Sequence, residues 1–114
     1  AAAVGTVHAF TTSPVHIDLE RVKMIAKQTG VPQALHGASG LSNADLIAAV
    51  KAGITKVNIN AELRRAYLST LAAELPNVRD DVRVLQRKAI AAMAEVAAEK
   101  LTVLGGHGKR KDDR

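Results

Sequence analysis

The sequence has no cysteine and no tryptophan, one phenylalanine (Phe10), one tyrosine (Tyr67) and three prolines. Without cysteine there can be no disulfide and no cysteine–zinc centre, and a reducing, cytoplasmic setting is the natural expectation. With so few aromatics, the core must be built from Ala, Val, Leu and Ile, and no platform exists on which bases could stack. No apolar run approaches the roughly 20 residues a bilayer-spanning helix needs, and no signal-peptide pattern opens the chain, so no membrane partner is expected. The opening Ala1-Ala2-Ala3-Val4 carries no initiator methionine and runs directly into strand-like sequence, as expected of a segment of a longer protein.

What is present bounds the class. At 114 residues and 47% hydrophobic content, the chain suits one small domain or a piece of a larger one, and global disorder is excluded. Small side chains bury little area each, so an isolated fold of this size would be marginal. The net charge of +5 does not mark a nucleic-acid surface. Lys109-Arg110-Lys111-Asp112-Asp113-Arg114 carries four positive and two negative charges, hence two of the five. The remainder is scattered with Glu and Asp, and no basic stripe with interleaved aromatics is seen. Nucleic acid is therefore not an expected partner.

The periodicity predicts βα units. Residues 2–8 read as a short buried strand, followed by a loop at Thr11-Thr12-Ser13-Pro14. Asp18 can cap a helix whose Leu19, Val22, Ile25 and Ala26 share one face, stopped by Gly30 and Pro32. Gln33-Ala34-Leu35-His36 is a second strand, and Gly37 to Gly40 a turn. Ser42-Asn43-Ala44-Asp45 fits a capping box for a helix running to Gly53, and Ile54 to Asn60 reads as a third strand. A helix from Glu62 to about Leu75 should end at Pro76. A last helix should open at Asp80 or Asp81 and run to about Lys100, with Val84, Ala91, Ala94 and Ala98 on its apolar side. Alternation of strand and helix with short connections argues for an α/β fold with parallel strands, and three strands are too few to close a barrel.

Three clusters could carry chemistry. His8 and His36 each end an apolar run and precede a small residue, which is how a parallel strand delivers an imidazole to its C-terminal end. They could share a metal, zinc above all, or each could be a strand-end histidine bonded to backbone. His16, in a loop, and His107, in a glycine-rich tail, are poor third ligands. Gly37-Ala38-Ser39-Gly40 before a capped helix could cradle an anion, or could be an ordinary tight turn. Asn58-Ile59-Asn60-Ala61 places polar side chains at the C-terminal end of an apolar strand, where they could serve a site or simply start the next turn. Glu62-Leu63-Arg64-Arg65 reads as a solvated helix face.

Taken in order, Gly5-Thr6-Val7-His8, Leu35-His36-Gly37-Ala38-Ser39-Gly40-Leu41-Ser42 and Gly53-Ile54-Thr55-Lys56-Val57-Asn58-Ile59-Asn60-Ala61-Glu62-Leu63 resemble three C-terminal motifs of class II, zinc-dependent ketose-bisphosphate aldolases. Lys88, Met93 and Val96, leading to Val103-Leu104-Gly105-Gly106, resemble that family's closing segment. The resemblance implies the C-terminal part of a TIM (β/α)8 barrel. Residues 1–104 would be its last three strands and closing helices, and residues 105–114 a flexible basic tail. It implies reversible cleavage of a fructose or tagatose 1,6-bisphosphate into dihydroxyacetone phosphate and glyceraldehyde 3-phosphate, usually by a homodimer. By the same resemblance, His8 and His36 are two of three zinc ligands. Gly37, Ala38 and Ser39 cradle the phosphate of dihydroxyacetone phosphate, Asn58 faces the enediolate oxygens, and Asn60 and Ala61 complete the phosphate cup, with Ile59 between. Many members also bind a monovalent cation, Na+ or K+, near these loops.

Two departures stand out. Ala9 follows the first motif histidine where the family usually has glycine, and Ala61 stands where it often has threonine. The family's third zinc histidine and its adjacent acid–base aspartate belong to the N-terminal half, and no Asp-His pair occurs here. An alternative reading is therefore an inactive remnant that binds a sugar phosphate or a partner chain. On either reading the 114-residue chain alone is expected to cleave no ketose bisphosphate. Turnover in a coupled triose-phosphate assay of the purified chain would contradict this.

Overall fold

The computed structural model describes residues 4–6, 15–77 and 81–105. The chain divides into two compact units, residues 1–59 and 60–114. In the first unit, helix α1 (Leu19–Thr29) leads to strand β1 (Gln33–Leu35), a 3-10 turn (Ala38–Gly40), helix α2 (Asn43–Ala52) and strand β2 (Ile54–Val57). In the second, helix α3 (Ala61–Glu74) runs into a 3-10 turn (Leu75–Asn77), and helix α4 (Val82–Val103) follows.

Local sequence explains most of these boundaries. Asp18 caps α1, its carboxylate accepting the Arg21 N–H at 2.9 Å, and Gly30 closes the helix in the left-handed conformation. Ser42 opens α2 reciprocally: its hydroxyl accepts the Asp45 N–H at 3.1 Å and donates to the Asp45 carboxylate at 2.7 Å. β1 and β2 pair in parallel, with Gln33 opposite Ile54 and Leu35 opposite Val57. The register slips by one residue at Thr55, whose hydroxyl donates to the Gln33 carbonyl at 3.1 Å. The buried apolar residues of this unit include Val4, Val22, Leu35, Ala38, Leu46, Ala49 and Ile54, so the core is aliphatic, as composition requires.

The expected strand over residues 2–8 is not seen in its described part. Val4 and Gly5 form a bend, and no ladder pairs residues 4–6. The Val4 carbonyl is taken instead by the Asp18 N–H at 2.8 Å, and Gly5 sits at φ +92°, outside the extended region. A Cβ at Gly5 would fall 2.7 Å from the His16 carbonyl oxygen, so only glycine makes this bend. The strands expected to reach His36 and Asn60 stop at Leu35 and Val57. The loop expected at 11–14 and most of the expected basic tail lie outside the described residues.

In the second unit α3 and α4 pack as a helical hairpin. Two ion pairs tie it: Lys100 to Glu62 at 3.0 Å and Lys88 to Glu74 at 2.5 Å, the two glutamates spaced as the two lysines are. Glu62 is thus not on a solvated face. Its side chain is only 20% exposed and that of its partner Lys100 12%, while Arg64 and Arg65 are exposed as expected. The expected apolar side of α4 is also corrected. Leu85 and Ala89 are the buried positions, whereas Val84, Ala91, Ala94 and Ala98 are exposed. α4 is rich in alanine nearly all round, so side-chain pattern alone selects no face, and packing decides it.

Asp81 caps α4 through the Arg83 N–H at 2.9 Å and also takes the Arg83 guanidinium at 3.0 Å. These bonds, the side-chain one first, hold its carboxyl below the ordinary value of 3.8. A depressed folded value means that the cap's contribution is full above the ordinary value and fades as pH falls through the folded one. Asp81→Ala should therefore lower the thermal midpoint at neutral pH, and the gap to wild type should narrow on acidification below 3.8, as circular dichroism melts would read.

Candidate functional site

β1 ends by placing His36 at an exposed position just beyond the buried Leu35. Leu35 is the strand's anchor, with 1% of its surface accessible. The Leu35 carbonyl accepts the backbone N–H of Asn58 at 3.0 Å, which brings the residue after β2 beside the residue after β1. The Asn58 side chain follows: its Nδ2 lies 3.0 Å from Nε2 and 3.4 Å from Nδ1 of His36. Being close to both ring nitrogens at once, the amide nitrogen lies over the face of the imidazole rather than on one in-plane lone pair. From the other flank the Thr6 hydroxyl donates to the His36 carbonyl at 2.8 Å.

The turn that follows is set by Gly37, at φ +69° and ψ +27°, where L side chains are strained. It starts the 3-10 turn Ala38–Gly40, in which Ala38 is buried, Ser39 half-buried, and the Ala38 carbonyl accepts the Leu41 N–H at 3.1 Å. The first N–H groups of such a turn have no partner within it. Packing holds the far end closely: a Cβ on Gly40 would meet the Val15 side chain at 2.9 Å.

The structure therefore brings together His36 and Asn58, joined through the chain to Gly37, Ala38 and Ser39. Ile59 is half-buried at the end of the first unit. Asn60 and Ala61 belong to the second unit, where Asn60 occupies the cap position of α3 without its side chain bonding to the helix, and Ala61 is the first helical residue. His8 and Ala9 lie outside the described residues, as does His107, and His16 is an exposed loop residue. Thr6 was not singled out from sequence, although it stands in the Gly5-Thr6-Val7-His8 motif. That motif drew notice for its histidine alone.

As to a metal, no cluster of three or more His, Cys, Asp or Glu occurs among the described residues. His36 suits one position: its ring is exposed and its neighbour is a neutral amide, the setting of a nitrogen donor to zinc. A catalytic zinc needs three protein ligands, and among the described residues no such set is brought together.

Parallel strand pairing with an intervening helix, and a polar cluster just past the carboxyl ends of the strands, define a βα segment of an α/β protein. The comparisons identify which. Residues 1–109 match the Fructose-bisphosphate aldolase class-II family, and the chain belongs to it. It is 38% identical over 109 residues to the uncharacterised protein YdjI of Escherichia coli (strain K12), across 96% of this chain and 38% of that protein. The crystal structure of the YdjI aldolase from Escherichia coli K12 aligns over 94% of this chain and 39% of that one, at 36% identity and a TM-score of 0.84. A structure from Coccidioides immitis, described as a candidate fructose-1,6-bisphosphate aldolase, aligns over 94% of this chain and 38% of that one. Its TM-score is 0.87, and at 24% identity it speaks to the fold alone. The chain thus spans about two-fifths of the length of the relatives it matches.

Because Gly37 alone makes the turn after His36, Gly37→Ala should cost about 1 kcal/mol from the left-handed strain. Denaturant unfolding of the variant against wild type would read it.

Proposed function

We propose that this chain is the C-terminal, ligand-binding portion of a zinc-dependent class II aldolase of the TIM-barrel type. The reaction is the reversible cleavage of a ketose 1,6-bisphosphate, fructose or tagatose, into dihydroxyacetone phosphate and glyceraldehyde 3-phosphate. One observation carries the proposal: the imidazole of His36, the amide of Asn58 and the Gly37 turn meet where two parallel strands end. A metal-ligating nitrogen, a neutral hydrogen-bond donor and a small-residue anion turn are three of the functions that cleavage next to a ketone phosphate requires, an acid–base group being the fourth.

His36 would hold the ion together with His8, and a bound zinc would act as a Lewis acid on the ketone oxygen. As the acid–base group takes the proton of the C4 hydroxyl, that carbon becomes the aldehyde of glyceraldehyde 3-phosphate and the C3–C4 bond breaks. Its electron pair stays on the dihydroxyacetone fragment as an enediolate, which takes a proton back at C3. The Asn58 amide donates to the enediolate oxygens. It lies within 3.4 Å of both nitrogens of the His36 ring, beside the proposed ligand. The N–H groups of Gly37, Ala38 and Ser39 bind the phosphate, where fixed backbone dipoles suit a dianion without a buried countercharge. Asn60 and Ala61, at the start of α3, are assigned to the same phosphate, and a monovalent cation, Na+ or K+, to the backbone oxygens nearby. The acid–base carboxylate is assigned to the N-terminal half of the full enzyme, a cytoplasmic homodimer in this proposal.

Family membership supports a sugar-phosphate substrate. Dialysed to equilibrium against zinc, the chain should hold more metal than His36→Ala does, measured by elemental analysis. Asn58→Ala should keep the metal yet weaken retention of dihydroxyacetone phosphate, read by isothermal titration. Equal metal content in wild type and His36→Ala would remove the proposal and leave the inactive remnant.

A further inference from the structure

We propose that Thr6 is a positioning residue for His36, its hydroxyl fixing the peptide from which the imidazole and the Gly37 turn are presented. The inference rests on the reading of His36 as a metal ligand and extends it to the residue that sets that ligand's place.

Successive carbonyls of an extended strand point to opposite sides. At the end of β1 the Leu35 carbonyl faces the β2 side, where the Asn58 N–H meets it at 3.0 Å. The His36 carbonyl, one residue on, therefore faces away from β2, past the last ladder pair at Leu35. On that side Thr6 Oγ1 donates to it at 2.8 Å, across thirty residues of sequence. A side-chain hydroxyl thus does what the N–H of a further strand would do.

The donor is itself held in place. The Val4 carbonyl is tied to the Asp18 N–H at 2.8 Å, and Gly5 makes a bend closed to any residue with a Cβ. Thr6 is half-buried between these restraints and β1. Its acceptor belongs to the peptide joining His36 to Gly37. Turning that peptide changes ψ of His36 and the left-handed φ of Gly37 together, and with them where the turn and its N–H groups lie relative to the His36 ring. Thr6 also precedes His8 by two residues in the sequence, so one hydroxyl couples the two segments that bear the proposed imidazole ligands. A hydroxyl that merely satisfied a strand-end carbonyl would affect stability and nothing else.

The test uses the full 114-residue chain with Thr6→Val, which deletes the hydroxyl, and Thr6→Ser, which keeps it. Two quantities are read: zinc affinity by competition with a chromophoric chelator, and the His36 ring signals in carbon–proton spectra of the metal-free chain. Thr6→Val should weaken zinc binding by roughly tenfold or more and move the His36 ring signals, and Thr6→Ser should restore both. If Thr6→Val lowers the melting temperature but leaves affinity and ring signals as in wild type, Thr6 is only structural and the proposal falls. Should Thr6→Val fail to fold, Thr6→Ala makes the same comparison without placing a methyl group at the oxygen's position. Should the wild-type chain bind no zinc, the metal reading of His36 fails by itself. The ring signals then still decide, serine-rescued displacement supporting a positioning role and unchanged signals overturning it.

Discussion

A parallel pair as short as β1 and β2 has few ladder bonds, so the two carbonyls just at and beyond its end matter out of proportion. The Leu35 carbonyl is taken by the Asn58 N–H and the His36 carbonyl by the Thr6 hydroxyl. Between them they hold the two peptide planes on either side of the His36 Cα. The His36 ring leaves from the joint between those planes, the Asn58 amide lies against that ring, and the turn at Gly37 starts from the second plane. Leu35 supplies the counterweight: buried in an aliphatic core, it cannot shift without opening a cavity.

The same economy governs the scaffold. Lacking large aromatics, the first unit packs Val22, Leu35, Leu46 and Ala49 closely and relies on well-formed helix ends to define where each helix begins. The second unit has little buried apolar surface of its own. Its hairpin register is marked by matched ion pairs, one of them, Glu62 with Lys100, largely shielded from water.

Several features were legible in the residues because they depend on neighbours in sequence. The caps at Asp18, Ser42 and Asp81, the stop at Gly30 and the break at Pro76 each follow from a short-range bond or a backbone restriction. The motifs around His36 and Asn58 were legible by their resemblance to a family's, while the strands that carry them end one and three residues short of the expected His36 and Asn60. The strand over residues 2–8 was misread in its described part, because alternation and β-branching say nothing about whether a carbonyl will find a ladder partner or the start of a helix. The face of α4 was misread because Val84, Ala91, Ala94 and Ala98 and the stripe of Leu85 and Ala89 are equally apolar on paper.

The chain's motifs pointed to the family by resemblance, and the sequence alone determined the alternation of helix and strand and the aliphatic character of the core. These follow from residue type and local spacing. Tertiary structure alone decided that Asn58 meets the His36 ring, that Thr6 holds the His36 carbonyl, that Glu62 pairs with Lys100 and which side of α4 is buried. Each of these joins positions far apart in the chain, and a hydrogen bond or contact across such a distance depends on where two backbones come to rest, which no local pattern encodes.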